Sequence, residues 1–121
     1  KSSPVVVHKG RYAYLKAQET ALNNHFLIAQ DEDEITIVTE ENNVANTKYD
    51  KSEKWFKLLE IRTSAPFKGV GFLARVTSAI ATKGLNVLVV STFSKDYILI
   101  REDELEKAVK ALEEIGFEVK K

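Results

Sequence analysis

The chain has 121 residues, 18 Lys and Arg against 18 Asp and Glu, and no cysteine. That length suits one domain or two small fused modules, since domains run to roughly 100–150 residues. The balanced charge removes the usual reason to propose a nucleic-acid binder, and the missing cysteine excludes disulfides, thiolate metal sites and cysteine nucleophiles together.

From the N-terminus, KSSPVVVHKG carries only a three-Val apolar run. That is too short for a signal-peptide core, which needs about 7–15 apolar residues. No stretch approaches the roughly 18 apolar residues that span a bilayer. With no initiator Met, the start reads as processed, and the expected setting is cytoplasmic. Arg11-Tyr12-Ala13-Tyr14-Leu15 alternates as a strand, so at most one of the two tyrosines is core. Glu19 to Asn24 is a short helix candidate. Phe26 to Ala29 and Glu34 to Val38 read as strands joined by the acidic turn Gln30 to Asp33. Asp31 to Glu34 lack the spacing and glycine of a calcium loop, so they read as a solvated turn. Asn42 to Lys54 is polar and reads as a linker with at most one helical turn.

Lys57 to Arg62 is a short strand candidate, which Ser64-Ala65-Pro66 breaks. Gly69 and Gly71 permit a tight loop. A helix is expected from Val70 to Lys83, with Leu73, Val76, Ala79 and Ile80 as its apolar stripe and Gly84 as its stop. Asn86 to Phe93 is nearly continuous in apolar character, as in a covered strand. Lys95-Asp96 reads as a hairpin turn and Tyr97 to Ile100 as the returning strand. Asp103 is placed to cap the last helix, with Glu106 three residues on. Leu105, Ala108, Val109 and Leu112 form its buried stripe, Glu106 and Lys110 an i,i+4 pair, and Gly116 its end. Phe117-Glu118-Val119 alternates like an edge strand.

The C-terminal half therefore runs β-α-β-β-α-β, the ferredoxin-like order of an α+β domain. The N-terminal half repeats part of it: Asp33-x-Ile35-x-Ile37 matches Asp96-x-Ile98-x-Ile100. This points to an internal duplication, with an abbreviated module over residues 10–54 and a complete one over 55–121. Chemistry is poorly supplied. His8 and His25 lie far apart and read as surface or packing residues. No serine has a Gly-x-Ser-x-Gly context, and Glu40-Glu41 and Glu113-Glu114 read as solvated faces. No enzyme activity, cofactor or metal is expected.

Three runs carry a family resemblance: Phe67-Lys68-Gly69-Val70-Gly71-Phe72-Leu73, Gly84-Leu85-Asn86-Val87, and Ser91-Thr92-Phe93-Ser94-Lys95-Asp96-Tyr97-Ile98-Leu99-Ile100. Together they resemble ACT domains, and most closely the small tandem-ACT proteins related to the cytosolic arginine sensors of the TOR pathway. The N-terminal Asp33-Glu34-Ile35-Thr36-Ile37-Val38 is similar to a run of the same subgroup. The resemblance implies a regulatory module that binds a small ligand, usually an amino acid, where two ACT domains meet. It implies a loop of Pro66, Gly69, Val70 and Gly71, the helix start at Phe72, and Thr92, Phe93 and Asp96 on the strand and hairpin. The chemistry suits such a ligand. Backbone N–H groups of Val70, Gly71 and Phe72 at a helix N-terminus would meet a carboxylate, and Asp96 an ammonium or guanidinium. Phe93 could cover an apolar or cationic side chain.

Each residue also has a plain structural role open to it. The glycines can simply make a turn, and Asp96 can sit in a hairpin for local reasons. Phe93 can be core or interface, and Thr92 is a common strand residue. The expectation is a non-catalytic amino-acid sensor, homodimeric, acting on a protein partner in trans. The rival is a dimerisation module that has lost its ligand. An RNA-binding module of the same strand order lacks its basic-Gly-aromatic strand signature here.

Overall fold

The computed structural model describes residues 4–19, 24–62 and 72–121. In chain order it contains β1 (Pro4–Val7), β2 (Tyr12–Ala17), β3 (Leu27–Gln30), β4 (Ile35–Glu40), β5 (Tyr49–Ile61), α1 (Phe72–Ala81), β6 (Leu88–Ser91), β7 (Asp96–Arg101), α2 (Leu105–Glu114) and β8 (Glu118–Lys120). Short 3₁₀ turns, Glu41–Asn46 and Glu102–Glu104, precede β5 and α2. The chain forms two compact units. One takes the N-terminus up to Lys9 and resumes at Lys57–Lys121; the other is Gly10–Phe56.

In the first unit the strands lie in the order β6-β7-β5-β1-β8. Helices α1 and α2 follow β5 and β7, which is the ferredoxin-like β-α-β-β-α-β arrangement. One strand is added to it. β1 sits between β5 and β8, antiparallel to β5 (Val5↔Ile61, Val7↔Leu59) and parallel to β8 (Val5↔Val119). Val5, Val7, Leu59, Ile61, Ile98 and Ile100 alternate onto the face that packs against Val76 and Ile80 of α1 and Ala108 and Leu112 of α2. Leu85 and Phe117 close the ends of that core. Gly84 (φ 79°) and Gly116 (φ 102°) adopt the left-handed backbone just past each helix, where a side chain would be strained.

In the second unit the order is β3-β4-β2-β5. Ala13, Leu15, Ala17 and Ile37 form its buried cluster, with Ile35, Val44, Tyr49 and Trp55 packed against them. Tyr12 is buried and Tyr14 half-buried; two residues apart, they share the face of β2 opposite the Ala13 cluster, so strand alternation does not separate them as expected from the sequence. On the second face Tyr12 meets Phe26 edge-on, with ring centroids 6.3 Å apart.

Several elements differ from the sequence expectation. Asn42 to Lys54 is no linker: β5 starts at Tyr49, and Tyr49 to Phe56 pairs antiparallel with β2, with register shifts at Asp50 and Trp55. Its polar side chains stay exposed while the backbone hydrogen bonds are satisfied by the ladder, so polarity concealed the strand. Pro4–Val7 is a strand that the short Val run did not announce. The hairpin turn is Phe93-Ser94, not Lys95-Asp96, because Thr92 N–H bonds the Lys95 carbonyl (2.9 Å) and Asp96 already pairs with Ser91. Asp103 does not cap α2; it lies inside the 3₁₀ turn, and Glu104 at the cap position makes no side-chain hydrogen bond there. The first helix ends at Ala81, before the expected Lys83, while Val70 and Gly71 at its expected start lie outside the described residues; β6 is Leu88–Ser91, shorter than its apolar pattern. The helix expected over Glu19 to Asn24 falls mostly on residues 20–23, outside the described residues.

Leu112 is wholly buried between α2 and the sheet, so Leu112→Ala should cost about 2–5 kcal/mol in chemical denaturation. Lys107→Ala on the exposed face of α2 should change stability by less than about 0.5 kcal/mol.

Candidate ligand site

Of the residues expected to bind ligand, Pro66, Gly69, Val70 and Gly71 lie outside the described residues. Phe72 is the first residue of α1. Thr92, Phe93 and Asp96 come together on the β6–β7 hairpin. Asp96 opens β7 and is buried, on the same face as Ile98 and Ile100, which is the face the helices cover. The Ser91 hydroxyl donates to Asp96 Oδ1 at 2.6 Å, a short charge-assisted bond. Thr92 Oγ1 lies 3.4 Å from the Lys95 carbonyl and supports the turn. Phe93 stands fully exposed at the tip, so it is not core, and among the described residues it covers nothing.

A second group of side chains, missed in the sequence, occupies the opposite face of the same strand ends. Glu60 is 5% exposed. Its Oε1 lies 3.0 Å from His8 Nε2, and its Oε2 accepts from Arg62 Nε at 2.9 Å. His8 reaches it because β1 pairs with β5, and the His8 ring lies 6.1 Å from that of Tyr97. The Arg62 guanidinium holds the Glu60 carboxyl below its ordinary value of 4.5; burial opposes that, and His8 and the charge of Lys95 reinforce it. Arg62 in turn is raised, chiefly by its bond to Glu60. These interactions place Arg62, where β5 ends and residues 63–71 begin, beside the start of β7. The available signal was Glu60-x-Arg62 within an apolar run, two opposite charges on one strand face. The His8 partnership spans 52 positions and has no local signature.

In the second unit, His25 Nδ1 and Asn43 Nδ2 both reach the buried Thr39 hydroxyl, at 2.8 and 3.1 Å. This ties the start of β3 to the 3₁₀ turn after β4. The Asp31 carboxylate accepts the N–H groups of Asp33 and Glu34 (2.8 and 2.9 Å), closing a local turn. Among the described residues no group of His, Asp and Glu side chains could hold a metal ion, and no helix is long and apolar enough to cross a membrane.

A family profile described as the ACT domain matches residues 51–114. The chain belongs to the ACT domain family. Its matched segment takes in all but the first two residues of β5, both helices of the first unit and the hairpin that carries Asp96. Among curated proteins, none matches the chain. Among solved structures, protein Atu0741 of Agobacterium tumefaciens is 24% identical, with a TM-score of 0.82, covering 98% of this chain and 92% of that one. VC0802 of Vibrio cholerae, described as a protein of unknown function and possible transport protein, is 20% identical, with a TM-score of 0.79, covering 93% and 89%. A putative C-terminal regulatory domain of aspartate kinase from Porphyromonas gingivalis is 17% identical, with a TM-score of 0.63, covering 93% and 95%. At these identities the likeness establishes the fold of this ACT domain protein.

Because Glu60 is held below 4.5, it stabilises the fold at pH values above that figure, and the contribution is lost as the pH falls below 4.5 toward its lowered native value. The stability difference between the native chain and Glu60→Gln, followed by urea denaturation, should therefore be constant above about pH 6 and shrink on acidification through the carboxylate range. A difference that stays flat down to pH 3 would contradict the network.

Proposed function

We propose that this ACT domain protein is a non-catalytic regulatory module that binds a free amino acid where two ACT domains meet, as in a homodimer, and passes the signal to a protein partner in the cytoplasm. The observation that carries the reading is Asp96, a buried carboxylate at the start of β7 with the Ser91 hydroxyl on one oxygen. It sits at the strand end beside which residues 63–71 begin. In this reading Asp96 receives the ligand's ammonium. Gly69, Val70, Gly71 and the N–H of Phe72 meet its carboxylate, Pro66 shapes the loop, and Thr92 and Phe93 line the approach. The shared fold with an aspartate kinase regulatory domain supports a regulatory role. Residues 10–54 are read as an abbreviated ACT-like module, because the strand order β3-β4-β2-β5 is the ferredoxin-like order with a 3₁₀ turn in place of its second helix. That tandem plan is what likens the chain to the cytosolic arginine sensors.

A ligand that binds only the native state raises its stability by mass action. Thermal-shift measurements against the twenty amino acids at millimolar concentration should therefore single out one or a few. Asp96→Asn should weaken that ligand at least about tenfold in calorimetry, the loss of one charge-assisted bond. If no amino acid stabilises the chain, amino-acid sensing is excluded.

The full exposure of Phe93 favours a second reading, a dimerisation module without ligand. Under it, Phe93→Ser shifts the mass measured by light scattering from dimer toward monomer while Asp96→Asn leaves it unchanged.

A further inference from the structure

The Gly10–Phe56 unit carries a groove of about 250 Å³ on one face of its sheet, well away in sequence from the hairpin of Asp96. Its residues are set by register. Lys16 of β2 stands directly opposite Thr36 of β4 on one side and Lys51 of β5 on the other. The three side chains thus form one cross-strand row, about 4.8 Å from strand to strand. Tyr14, one step along β2 on the same face, forms a wall of the groove, and Glu34 and Glu53 also line it.

This row is unusual in two respects. Like charges directly opposite each other on a sheet face are destabilising. Yet neither the Lys16 nor the Lys51 ammonium has a hydrogen bond or ion pair with any described residue, although two carboxylates line the same groove. Two lysines and a threonine, whose ammonium and hydroxyl groups are donors, share one concave face with Glu34 and Glu53 at neighbouring positions.

We propose that this row binds a small oxyanion, one oxygen-bearing group bridging Lys16 and Lys51 while the Thr36 hydroxyl donates to it. A bridging anion converts the like-charge pair into two charge-assisted hydrogen bonds. The two glutamates limit the class. The groove holds two cations and two anions, so a compact carboxylate or phosphate fits on the donor row, whereas a polyanion such as a nucleic-acid strand would run into Glu34 and Glu53. The site is independent of the amino-acid reading of Asp96.

The test is a titration of the full chain, isotopically labelled, with inorganic phosphate and separately with acetate at constant ionic strength. Amide and lysine side-chain resonances are followed. Saturable shifts centred on Lys16, Lys51 and Thr36 are expected with at least one anion. Saturation by phosphate alone assigns a phosphate group, and saturation by acetate assigns a ligand carboxylate. Lys16→Gln and Lys51→Gln should each weaken binding about tenfold, Thr36→Val by less, and Lys120→Gln not at all. These exposed substitutions are expected to fold, and a circular-dichroism melt of each verifies it. Shifts that fail to saturate with both anions, that spread evenly over the surface lysines, or that survive both lysine substitutions overturn the proposal.

Discussion

The two-residue period of β5 is the constraint on which the C-terminal unit depends. Leu59 and Ile61 must face the helices, so Leu58 and Glu60 must face away from them. A slip of one residue against β1 would drive the Glu60 carboxylate in among Val76 and Ile80 and lift two large apolar side chains out of the core. The register Val5↔Ile61 and Val7↔Leu59 is therefore doubly enforced, by apolar burial on one face and by charge on the other. The same alternation carries across to β7, where Asp96, Ile98 and Ile100 share the helix face and Tyr97 shares the face of Glu60.

Glu60 shows how a buried charge is tolerated here. A carboxylate removed from water is costly unless its oxygens are hydrogen-bonded, and each Glu60 oxygen has its own donor. Arg62 is more than half exposed, so solvent screens its share of the pairing. The stronger consequence is specificity. His8 follows β1, the strand inserted between β5 and β8, so its contact with Glu60 fixes where that strand stops. β8 has three residues and its described partner is β1. The far edge of the sheet thus relies on β1 being seated correctly, and Glu60 is one of the groups that seats it.

How much of this was legible depended on whether the signal was local. The stripes Val76/Ile80 and Ala108/Val109/Leu112 located both helices, and Gly84 and Gly116 located their ends, because helix burial and the left-handed stop are written within a few residues. The continuous apolar run Tyr97 to Ile100 located β7 for the same reason. Three features depend on distant partners and were not legible. Pro4–Val7 is a strand only because β5 and β8 flank it. Asp50 to Lys54 lies in β5 because β2 accepts its backbone, whatever its side chains are. His8 matters because Glu60 lies across a strand pair. Asp103 misled in another way: a good capping residue at the right spacing was overridden because the chain is already tightened into the 3₁₀ turn Glu102–Glu104 there, and α2 starts only at Leu105. At the hairpin, Asp96 was misplaced by one element, in the turn instead of the strand.

That misplacement changes the physical argument about Asp96. A turn aspartate is solvated and gains little by meeting a cation. A strand aspartate that is buried and already bonded to Ser91 has given up most of its water, so a ligand ammonium that reaches it meets a largely desolvated partner. Selectivity follows from the same fact. On the proposed reading, a ligand without the ammonium forgoes its charge-assisted contact with that buried carboxylate, a larger loss than that of one exposed contact. Phe93 stands in the opposite condition, a large apolar ring wholly in water three residues away. Burying that ring against a second chain would favour the assembled state, and a ligand at Asp96 would bias assembly only to the extent that it binds the assembled state more tightly than the separate one. On the proposed reading, the hairpin sets a carboxylate that discriminates among ligands three residues from a ring that responds to assembly, close enough to make their positions interdependent.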